Sequence, residues 1–259
     1  MTNRLAGSIA LVAGGASGMG AAAATLLSRE GATVVVADRD DDRARALVTE
    51  LPGRAEAFRL DVTALEACKR LAADLDQRYG RLKVLVNSAG IAPPGGAQRF
   101  DRTSVEDHLR LFDVHVHGTW YGMRAMVPLL AATGRSSIVN VSSIDGLAGV
   151  AGMAGYASAK FAVTGLTRAT ALELGPLGIR VNSVHPGVIS TSMIATDDPA
   201  VRSRIAAITD RQPLARPGTA DEVARMILFL ASEDSAYCTG AQFVVDGGHL
   251  TGPVREPLA

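Results

Sequence analysis

The sequence has few aromatic residues, few cysteines and no net charge, and each shortage narrows what the protein can be. Aromatic side chains make up 4% of the 259 residues, so aliphatic and small residues must build the core. Two cysteines without metal-ligand spacing, Cys68 and Cys238, predict free thiols in a reducing compartment. The 26 Lys and Arg residues balance the 26 Asp and Glu residues, so no global field favours nucleic acid or an anionic membrane.

Long apolar runs are also absent. The apolar run after Ser8 is too short to span a membrane, and the N-terminal segment carries no signal-peptide cleavage pattern. No cluster of His, Cys, Asp or Glu has the spacing of metal ligands. We therefore expect a cytoplasmic protein with no membrane partner, no nucleic-acid partner and no metal.

Short aliphatic segments alternate with longer amphipathic segments along the chain. The predicted strands are Ser8–Ala13, Thr33–Ala37, Glu56–Leu60, Leu82–Val86, Ser137–Val141, Arg180–Val184 and Gln242–Val245. The predicted helices lie near Met19–Arg29, Asp41–Leu51, Leu65–Tyr79, Val105–Ala132, Tyr156–Leu174 and Asp221–Ser232. This alternation predicts an α/β class: one Rossmann-type, doubly wound domain over residues 1–259 with a seven-stranded parallel sheet flanked by helices. The irregular residues at about 187–217 are typical of a substrate loop.

Ser143, Tyr156 and Lys160 form the most informative pattern in the chain. Tyr156 and Lys160 stand at i and i+4, so a helix places both side chains on one face. A free phenol, with a pKa of about 10, is a poor acid or base near neutral pH, and a neighbouring ammonium lowers that pKa. A hydroxyl from Ser143 could bind the oxygen that Tyr156 protonates or deprotonates. The pattern suits proton transfer at an alcohol or carbonyl oxygen, although the Tyr–Lys spacing alone is more often an exposed pair.

A glycine-rich turn follows the first predicted strand. Gly14, Gly18 and Gly20 are spaced G-x-x-x-G-x-G, where the backbone can approach a pyrophosphate and the helix N-terminus supplies N–H groups. Asp38 directly after the second strand can accept both ribose hydroxyls of adenosine and would repel a 2′-phosphate, which favours NAD(H) over NADP(H). The neighbouring Arg39 could instead steady a 2′-phosphate.

Together these motifs resemble the short-chain dehydrogenase/reductase family, from Leu5 to about Gly248. The residues that carry the resemblance are AGGASGMG, Asp38, Asp61-Val62, Asn87-Ser88-Ala89-Gly90, Ser143, Tyr156, Lys160, Arg180-Val181-Asn182, His185-Pro186-Gly187 and Asp246-Gly247-Gly248. The resemblance implies reversible hydride transfer between a secondary alcohol or ketone and a nicotinamide. It also implies a homotetramer formed through the two long helices and the last strand and helix.

The resemblance implies a role for each matching residue. Tyr156 is the general acid/base, Ser143 orients the substrate oxygen, and Lys160 lowers the Tyr156 pKa and bonds the nicotinamide ribose. The cofactor-binding residues implied by the motifs and the resemblance are Gly14, Ser17, Gly18, Met19, Gly20, Asp38, Arg39, Asp61, Val62, Asn87, Ala89, Gly90, Tyr156, Lys160, Pro186, Gly187, Val188, Ile189 and Thr191.

One position departs from the family pattern. The family usually has Asn three residues before a Gly in the central helix, where it holds a water in a proton relay with the Lys. Here His115 stands three residues before Gly118. His115 either replaces Asn in the relay, since imidazole passes protons near neutral pH, or fills the space while water alone completes the relay. Reduced activity is a third possibility.

Substrate identity is the least determined property. Within the family the chain is most similar to bacterial NAD-dependent hydroxysteroid dehydrogenases of the 3α/20β type, which implies a hydrophobic or alicyclic secondary alcohol and its ketone. The candidate substrate residues are Ser143, Asp145, Met153, Tyr156 and Met193, where Asp145 either tunes the pocket or caps a turn. Two alternatives are a 3-oxoacyl-(acyl-carrier-protein) reductase, which Asp38 opposes, and a non-catalytic nucleotide-binding scaffold.

Overall fold

A parallel sheet of seven strands runs through the centre of the molecule. The computed structural model describes residues 3–194 and 199–252. Its strands are β1 (Ile9–Ala13), β2 (Thr33–Asp38), β3 (Ala55–Arg59), β4 (Val84–Asn87), β5 (Ser136–Val141), β6 (Ile179–Pro186), β7 (Ile189–Ser190), β8 (Gly218–Thr219) and β9 (Gln242–Val245). The large sheet has the order β3-β2-β1-β4-β5-β6-β9, and β7 pairs with β8 in a small second sheet. The strand order reverses between β1 and β4, which is where ligands bind in such sheets.

Helices cover both faces of the large sheet. They are α1 (Gly18–Arg29), α2 (Asp41–Glu50), α3 (Leu65–Tyr79), α4 (Val105–Phe112), α5 (Gly118–Ala131), α6 (Ala154–Leu174), α7 (Pro199–Thr209) and α8 (Ala220–Ala231). Successive residues of β1 enter opposite layers: Val12 packs in a cluster with α1 and α8, and Leu11 in a cluster with α3 and α5. Both faces are therefore buried, which confirms the predicted α/β architecture. Among the described residues, no helix has the length and apolarity needed to cross a bilayer.

Two predicted segments differ from the structure, while the other bounds agree within two residues. The predicted helix Val105–Ala132 is interrupted by a π-helical turn, Asp113–His117, that separates α4 from α5. Gly118 follows this turn, and a Cβ there would lie 2.8 Å from a methyl group of Val62, so the close approach requires glycine. The interruption comes from this tertiary contact and leaves no signal in the helical periodicity.

The predicted irregular loop 187–217 contains regular structure. Strand β7 near its start pairs with β8 just beyond its end, and α7 occupies Pro199–Thr209. Residues 195–198 lie outside the described part of the chain. Proline at the first position of α7 is a common helix-start signal, and the polar composition of the segment masked it.

Candidate active site

A cleft of about 610 Å³ opens at the carboxyl ends of the strands. Ala13 is in register with Ala37 of β2 and with Asn87 of β4, so these three strands end level with one another. The turns that follow them meet at one edge of the sheet and form the cleft walls. Its lining includes these predicted cofactor residues: Gly14, Ser17, Gly18, Met19, Asp38, Arg39, Asp61, Val62, Ala89, Gly90 and Thr191.

The glycine turn forms a close backbone cradle on one side of the cleft. Gly14 has a φ of +74°, and a Cβ on it would collide with the backbone nitrogen of Ala89. A Cβ on Gly20 would collide with the Gly14 carbonyl oxygen. Ser17 makes no side-chain cap bond at the start of α1, so the first N–H groups of this helix are not capped by it. This shape and polarity fit the pyrophosphate of a dinucleotide.

Asp38 is fixed against the glycine turn in the same cleft. Its two carboxylate oxygens accept the backbone N–H groups of Ala16, at 3.0 Å, and Asp40, at 3.1 Å. Each carboxylate oxygen keeps further acceptor capacity for a hydroxyl group. Arg39 and Arg43 line the cleft as well, and Arg43 lies 3.8 Å from the Asp40 carboxylate.

Other predicted cofactor residues lie beside the cleft rather than in its described lining. Asn87 is buried and donates its side-chain N–H to the Asn140 amide oxygen at 2.8 Å. Asn140 in turn donates to the Thr167 hydroxyl at 3.0 Å, which ties β4 and β5 to α6. Val188 and Ile189 line a second cavity of about 550 Å³. Gly20, Tyr156, Lys160, Pro186 and Gly187 are also outside the described lining of the first cleft.

Sequence reasoning missed several residues of the cleft. Arg43, Arg110, Asp113 and Val114 line it from α2, α4 and the π-helical turn. The one-turn spacing of Arg110 and Val114 is a possible signal, because a helix places both on one face. This spacing could not be interpreted from the sequence, because only the structure shows that the helix borders the cofactor end of the sheet.

Ser143 is presented by a tight turn after β5. It caps the 3₁₀ turn Ile144–Gly146, and its hydroxyl oxygen accepts the backbone N–H of Asp145 at 3.1 Å. The hydroxyl also hydrogen-bonds with Tyr156, so a bound substrate oxygen would have to take the place of that contact. Asp145 thus takes part in the turn, and burial is the main cause that raises the pKa of its carboxyl group, against opposing attractions to His249 and Lys160.

Tyr156 and Lys160 lie on the first turns of α6, as their spacing predicted. The Lys160 ammonium is 5.6 Å from the centroid of the Tyr156 ring and donates to the Val141 carbonyl oxygen at 3.0 Å. Burial lowers the pKa of Lys160 to about 8, and the attraction of Asp145 opposes this shift. A buried ammonium so close to a phenol is a reactive arrangement with few structural uses.

The pKa of Tyr156 moves in the direction opposite to the sequence-based expectation. Burial is the largest cause that raises it, repulsion by Asp145 adds to the increase, and the hydrogen bond with Ser143 opposes it. The expected lowering by Lys160 does not prevail because burial and Asp145 determine the shift. The phenol is therefore held protonated in this structure.

His115 is buried in the π-helical turn and touches the same tyrosine. Its ring meets the Tyr156 ring edge-on, with centroids 5.3 Å apart and an interplanar angle of 88°. Nε2 lies 3.0 Å from the Ile91 carbonyl oxygen and 3.4 Å from the Ile91 backbone nitrogen, and the shorter contact, with an acceptor, favours a proton on Nε2. Nδ1 is then a buried acceptor with no hydrogen-bond partner in the described structure. Burial, followed by repulsion from Lys160, holds the pKa of His115 well below its ordinary value, so the ring is neutral.

Met153 and Met193 are the remaining predicted substrate residues. Met153 directly precedes α6, and Met193, 44% exposed, lines the cofactor cleft beside Thr191.

Cys68 and Cys238 are free thiols. Within residues 3–194 and 199–252, no cluster of three His, Cys, Asp or Glu side chains is placed to hold a metal ion.

Comparison with known proteins relates this geometry to a family. A family model described as enoyl-(acyl carrier protein) reductase matches residues 14–249. A 3-alpha-(or 20-beta)-hydroxysteroid dehydrogenase of Mycobacterium tuberculosis is 43% identical, over 97% of this chain and 93% of the relative. The 3-oxoacyl-(acyl-carrier-protein) reductase FabG of Thermotoga maritima is 40% identical, over 95% of this chain and 98% of the relative.

A solved structure shares the whole fold. Levodione reductase superposes with a TM-score of 0.90 at 27% sequence identity, covering 95% of this chain and 98% of that chain. The matched regions contain the glycine turn, Ser143, Tyr156 and Lys160. The chain belongs to the short-chain dehydrogenase/reductase family of oxidoreductases.

Proposed function

We propose that the protein is an NAD-dependent oxidoreductase that interconverts a hydrophobic, alicyclic secondary alcohol and its ketone. The observation that carries the proposal is the grouping of Ser143, Tyr156 and Lys160, where Tyr156 packs against His115. The His115 ring in turn contacts Ile91, which lines the cleft that holds Asp38. The hydroxysteroid dehydrogenase relative, at 43% identity, supports an alicyclic substrate. The protein is proposed to act as one domain over residues 1–259.

The three side chains have distinct roles in this proposal. Ser143 donates its hydroxyl hydrogen to the substrate oxygen, in place of its bond with Tyr156, and holds that oxygen beside the phenol. Tyr156 gives a proton to that oxygen during reduction and takes it back during alcohol oxidation. When bound, the nicotinamide cofactor exchanges a hydride with the substrate carbon. Lys160 uses its remaining N–H groups to hold the nicotinamide ribose and to favour the phenolate.

The protonation of Tyr156 in this structure favours one direction. Burial and Asp145 keep the phenol protonated, which suits proton donation to a ketone. Alcohol oxidation needs the phenolate and should therefore gain more from a rise in pH than ketone reduction does. The pKa of Lys160, at about 8, sets the range in which its charge is lost.

NAD preference rests on Asp38. The backbone bonds from Ala16 and Asp40 hold its carboxylate at the cleft, where it would accept ribose hydroxyls and repel a 2′-phosphate. Arg39 and Arg43 are the cations that argue for NADP, and the Asp40 carboxylate lies near Arg43. In the Asp38→Asn variant we expect the ratio of kcat/KM for NADH to that for NADPH to fall by about tenfold or more, as expected for loss of a charge-assisted hydrogen bond.

His115 is proposed to complete the proton path as a neutral acceptor. Its unpartnered Nδ1 would bind a water close to Lys160, while Nε2 stays on the Ile91 carbonyl. The His115→Phe variant keeps a ring against Tyr156 but loses both nitrogens, so we expect kcat to fall by about tenfold or more. The exposed His117→Phe is the control. Full activity of the His115→Phe variant would identify the ring as a filler. An unchanged rate and pH profile in His115→Asn would instead rule out a relay that needs the imidazole itself.

A second candidate is a 3-oxoacyl-(acyl-carrier-protein) reductase. The FabG relative, at 40% identity, favours it. It predicts preference for NADPH and for acyl thioesters, whereas our proposal predicts NADH and cyclic ketones. The two differ in a single assay that pairs each cofactor with each class of ketone.

The decisive experiment measures oxidation of NADH and of NADPH with steroids, cyclic diketones and acyl thioesters. The proposal expects NADH-dependent turnover of cyclic ketones that is lost in Tyr156→Phe and retained in Tyr237→Phe, where the tyrosine is fully exposed. Turnover confined to thioesters would support the second candidate. Tight NADH binding without turnover of any ketone would indicate a nucleotide-binding scaffold.

We also propose that the protein is a homotetramer. Large apolar side chains are exposed on α5 and α6, where Trp120 is 41%, Phe161 46% and Leu172 81% exposed. Exposed apolar clusters on helices are typical of subunit interfaces. Light scattering at several concentrations tests this, and a monomer would refute it.

A further inference from the structure

His185 lies at the carboxyl end of β6 and is fully buried. Its Nδ1 is 2.8 Å from the Ser143 carbonyl oxygen, and its Nε2 is 2.8 Å from the Ser183 hydroxyl. Both ring nitrogens therefore have a partner within normal hydrogen-bond distance. The residue directly precedes Pro186 and Gly187, which the family resemblance implies are cofactor-binding residues.

The partners determine the protonation of the ring. A carbonyl oxygen only accepts, so Nδ1 carries a proton and donates it to Ser143. Burial is the largest cause that lowers the pKa of His185, the bond to Ser143 opposes it, and Lys160 and Arg168 lower it further. The ring is therefore neutral, and its unprotonated Nε2 accepts the hydroxyl hydrogen of Ser183.

The Ser143 carbonyl is held from two directions. It also accepts the backbone N–H of Gly146 at 2.9 Å, within the turn that presents the serine. Gly146 packs so closely against the adjoining Ser142 hydroxyl and the Lys160 carbonyl that a Cβ would lie 2.5 Å and 2.8 Å from them. The turn is thus fixed to α6 on one side and, through His185, to β6 on the other.

We propose that His185 is a positioning residue that fixes Ser143 relative to the end of β6, where the implied cofactor-binding residues Pro186 and Gly187 follow. This inference rests on the proposed function. A side chain that only filled space would need volume alone, whereas His185 directs one donor at the backbone of the serine. Loss of that donor leaves the turn free to shift, and small displacements of an orienting hydroxyl cost rate more than binding.

Two substitutions test whether His185 is needed for its hydrogen-bond donor at Nδ1 or only for the volume of its side chain. In His185→Asn the amide N–H stands where Nδ1 was and still donates to Ser143, whereas in His185→Gln the longer amide reaches the position of Nε2. We expect kcat to stay within about threefold of wild type in the Asn variant and to fall by about tenfold to a hundredfold in the Gln variant. The KM for NADH should change by less than about threefold in both, because cofactor binding is left in place.

Ser137→Ala is the matched control for losing one buried hydrogen bond. The Ser137 hydroxyl is buried in β5 and donates to the Leu230 carbonyl oxygen at 2.7 Å, away from Ser143. It should lose stability but keep kcat. Equal kcat in the Asn and Gln variants, or a Gln variant as fast as wild type, would overturn the proposal.

Nitrogen-15 NMR of the histidines gives a readout that needs no turnover. The proposal expects a His185 signal with a protonated Nδ1 and an unprotonated Nε2, unchanged from about pH 6 to about pH 8. The opposite tautomer would overturn the proposal even if the Gln variant does not fold. Wild-type protein that shows the expected tautomer but turns over no ketone would refute the proposed function and leave the ring assignment intact.

Discussion

Replacing Lys160 by methionine should stabilise the protein near neutral pH while abolishing turnover. Burial lowers the pKa of Lys160 from 10.5 to about 8, against the attraction of Asp145. Each tenfold change in proton affinity corresponds to about 1.4 kcal/mol, so the buried charge costs the folded protein about 3 kcal/mol below about pH 8. Methionine fills a similar volume without a charge.

The stability difference between wild type and the methionine variant should change sign as the pH rises. Between about pH 8 and pH 10.5 the unfolded chain binds more protons at Lys160 than the folded protein does, so wild-type stability rises with pH across this window. The methionine variant lacks this rise and also lacks the hydrogen bond to the Val141 carbonyl, worth about 1 kcal/mol. We therefore expect the variant to be more stable by about 2 kcal/mol near pH 7 and less stable by about 1 kcal/mol above pH 10.5.

Urea unfolding of wild type and variant, at one protein concentration and a series of pH values, measures this difference. Ionisation of Tyr156 at high pH affects both proteins and largely cancels in the comparison. Lys69→Met is the control, since Lys69 is an exposed residue of α3 paired with Glu66, and it should change stability by less than about 0.5 kcal/mol at every pH. A Lys160→Met variant that is less stable than wild type by the same amount at all pH values would refute the reasoning.

Three further substitutions test the framework of the site. Asn87→Ala leaves the buried Asn140 amide oxygen without its described partner and should lower the free energy of unfolding by about 1–3 kcal/mol in urea titrations. Thr219→Ala removes the capping box of α8 and should cost about 1 kcal/mol by the same assay. Gly146→Ala places a Cβ 2.5 Å from the Ser142 hydroxyl oxygen. We expect a large fall of kcat in steady-state assays and only a small fall of the melting temperature.

The sheet was predictable because its strands are buried on both faces and are therefore continuous apolar runs. The glycine turn, Asp38 and the Tyr156–Lys160 pair were predictable because each depends on spacing within a short segment. These features are local, and the topology of parallel strands brings their ends together. Asp38, at the end of β2, lines the cleft that forms where these strand ends meet.

The surroundings of the reactive groups were not predictable, because residues distant in sequence create them. The Ile91 carbonyl beside the His115 ring is 24 residues from His115 in the sequence. The Val141 carbonyl that accepts the Lys160 hydrogen bond is 19 residues from Lys160. The sequence therefore revealed the Tyr–Lys pair but not the burial that reverses the expected direction of the Tyr156 pKa.

The short ladder between β7 and β8 closes the segment between them into a loop, which also bonds to the C-terminal part of the chain through Leu214 and Gly247, at 3.0 Å. Ile189 pairs with Gly218 and Ser190 with Thr219, so both ends of residues 191–217 are anchored at one place. Doubling the length of a loop whose ends are already anchored costs only about 0.6 kcal/mol in closure entropy. Insertions, deletions or grafts between these anchors should therefore leave the large sheet intact. If the segment is the substrate loop that its sequence predicts, directed evolution of substrate range is best confined to it, with Thr191 in the cofactor cleft left unchanged.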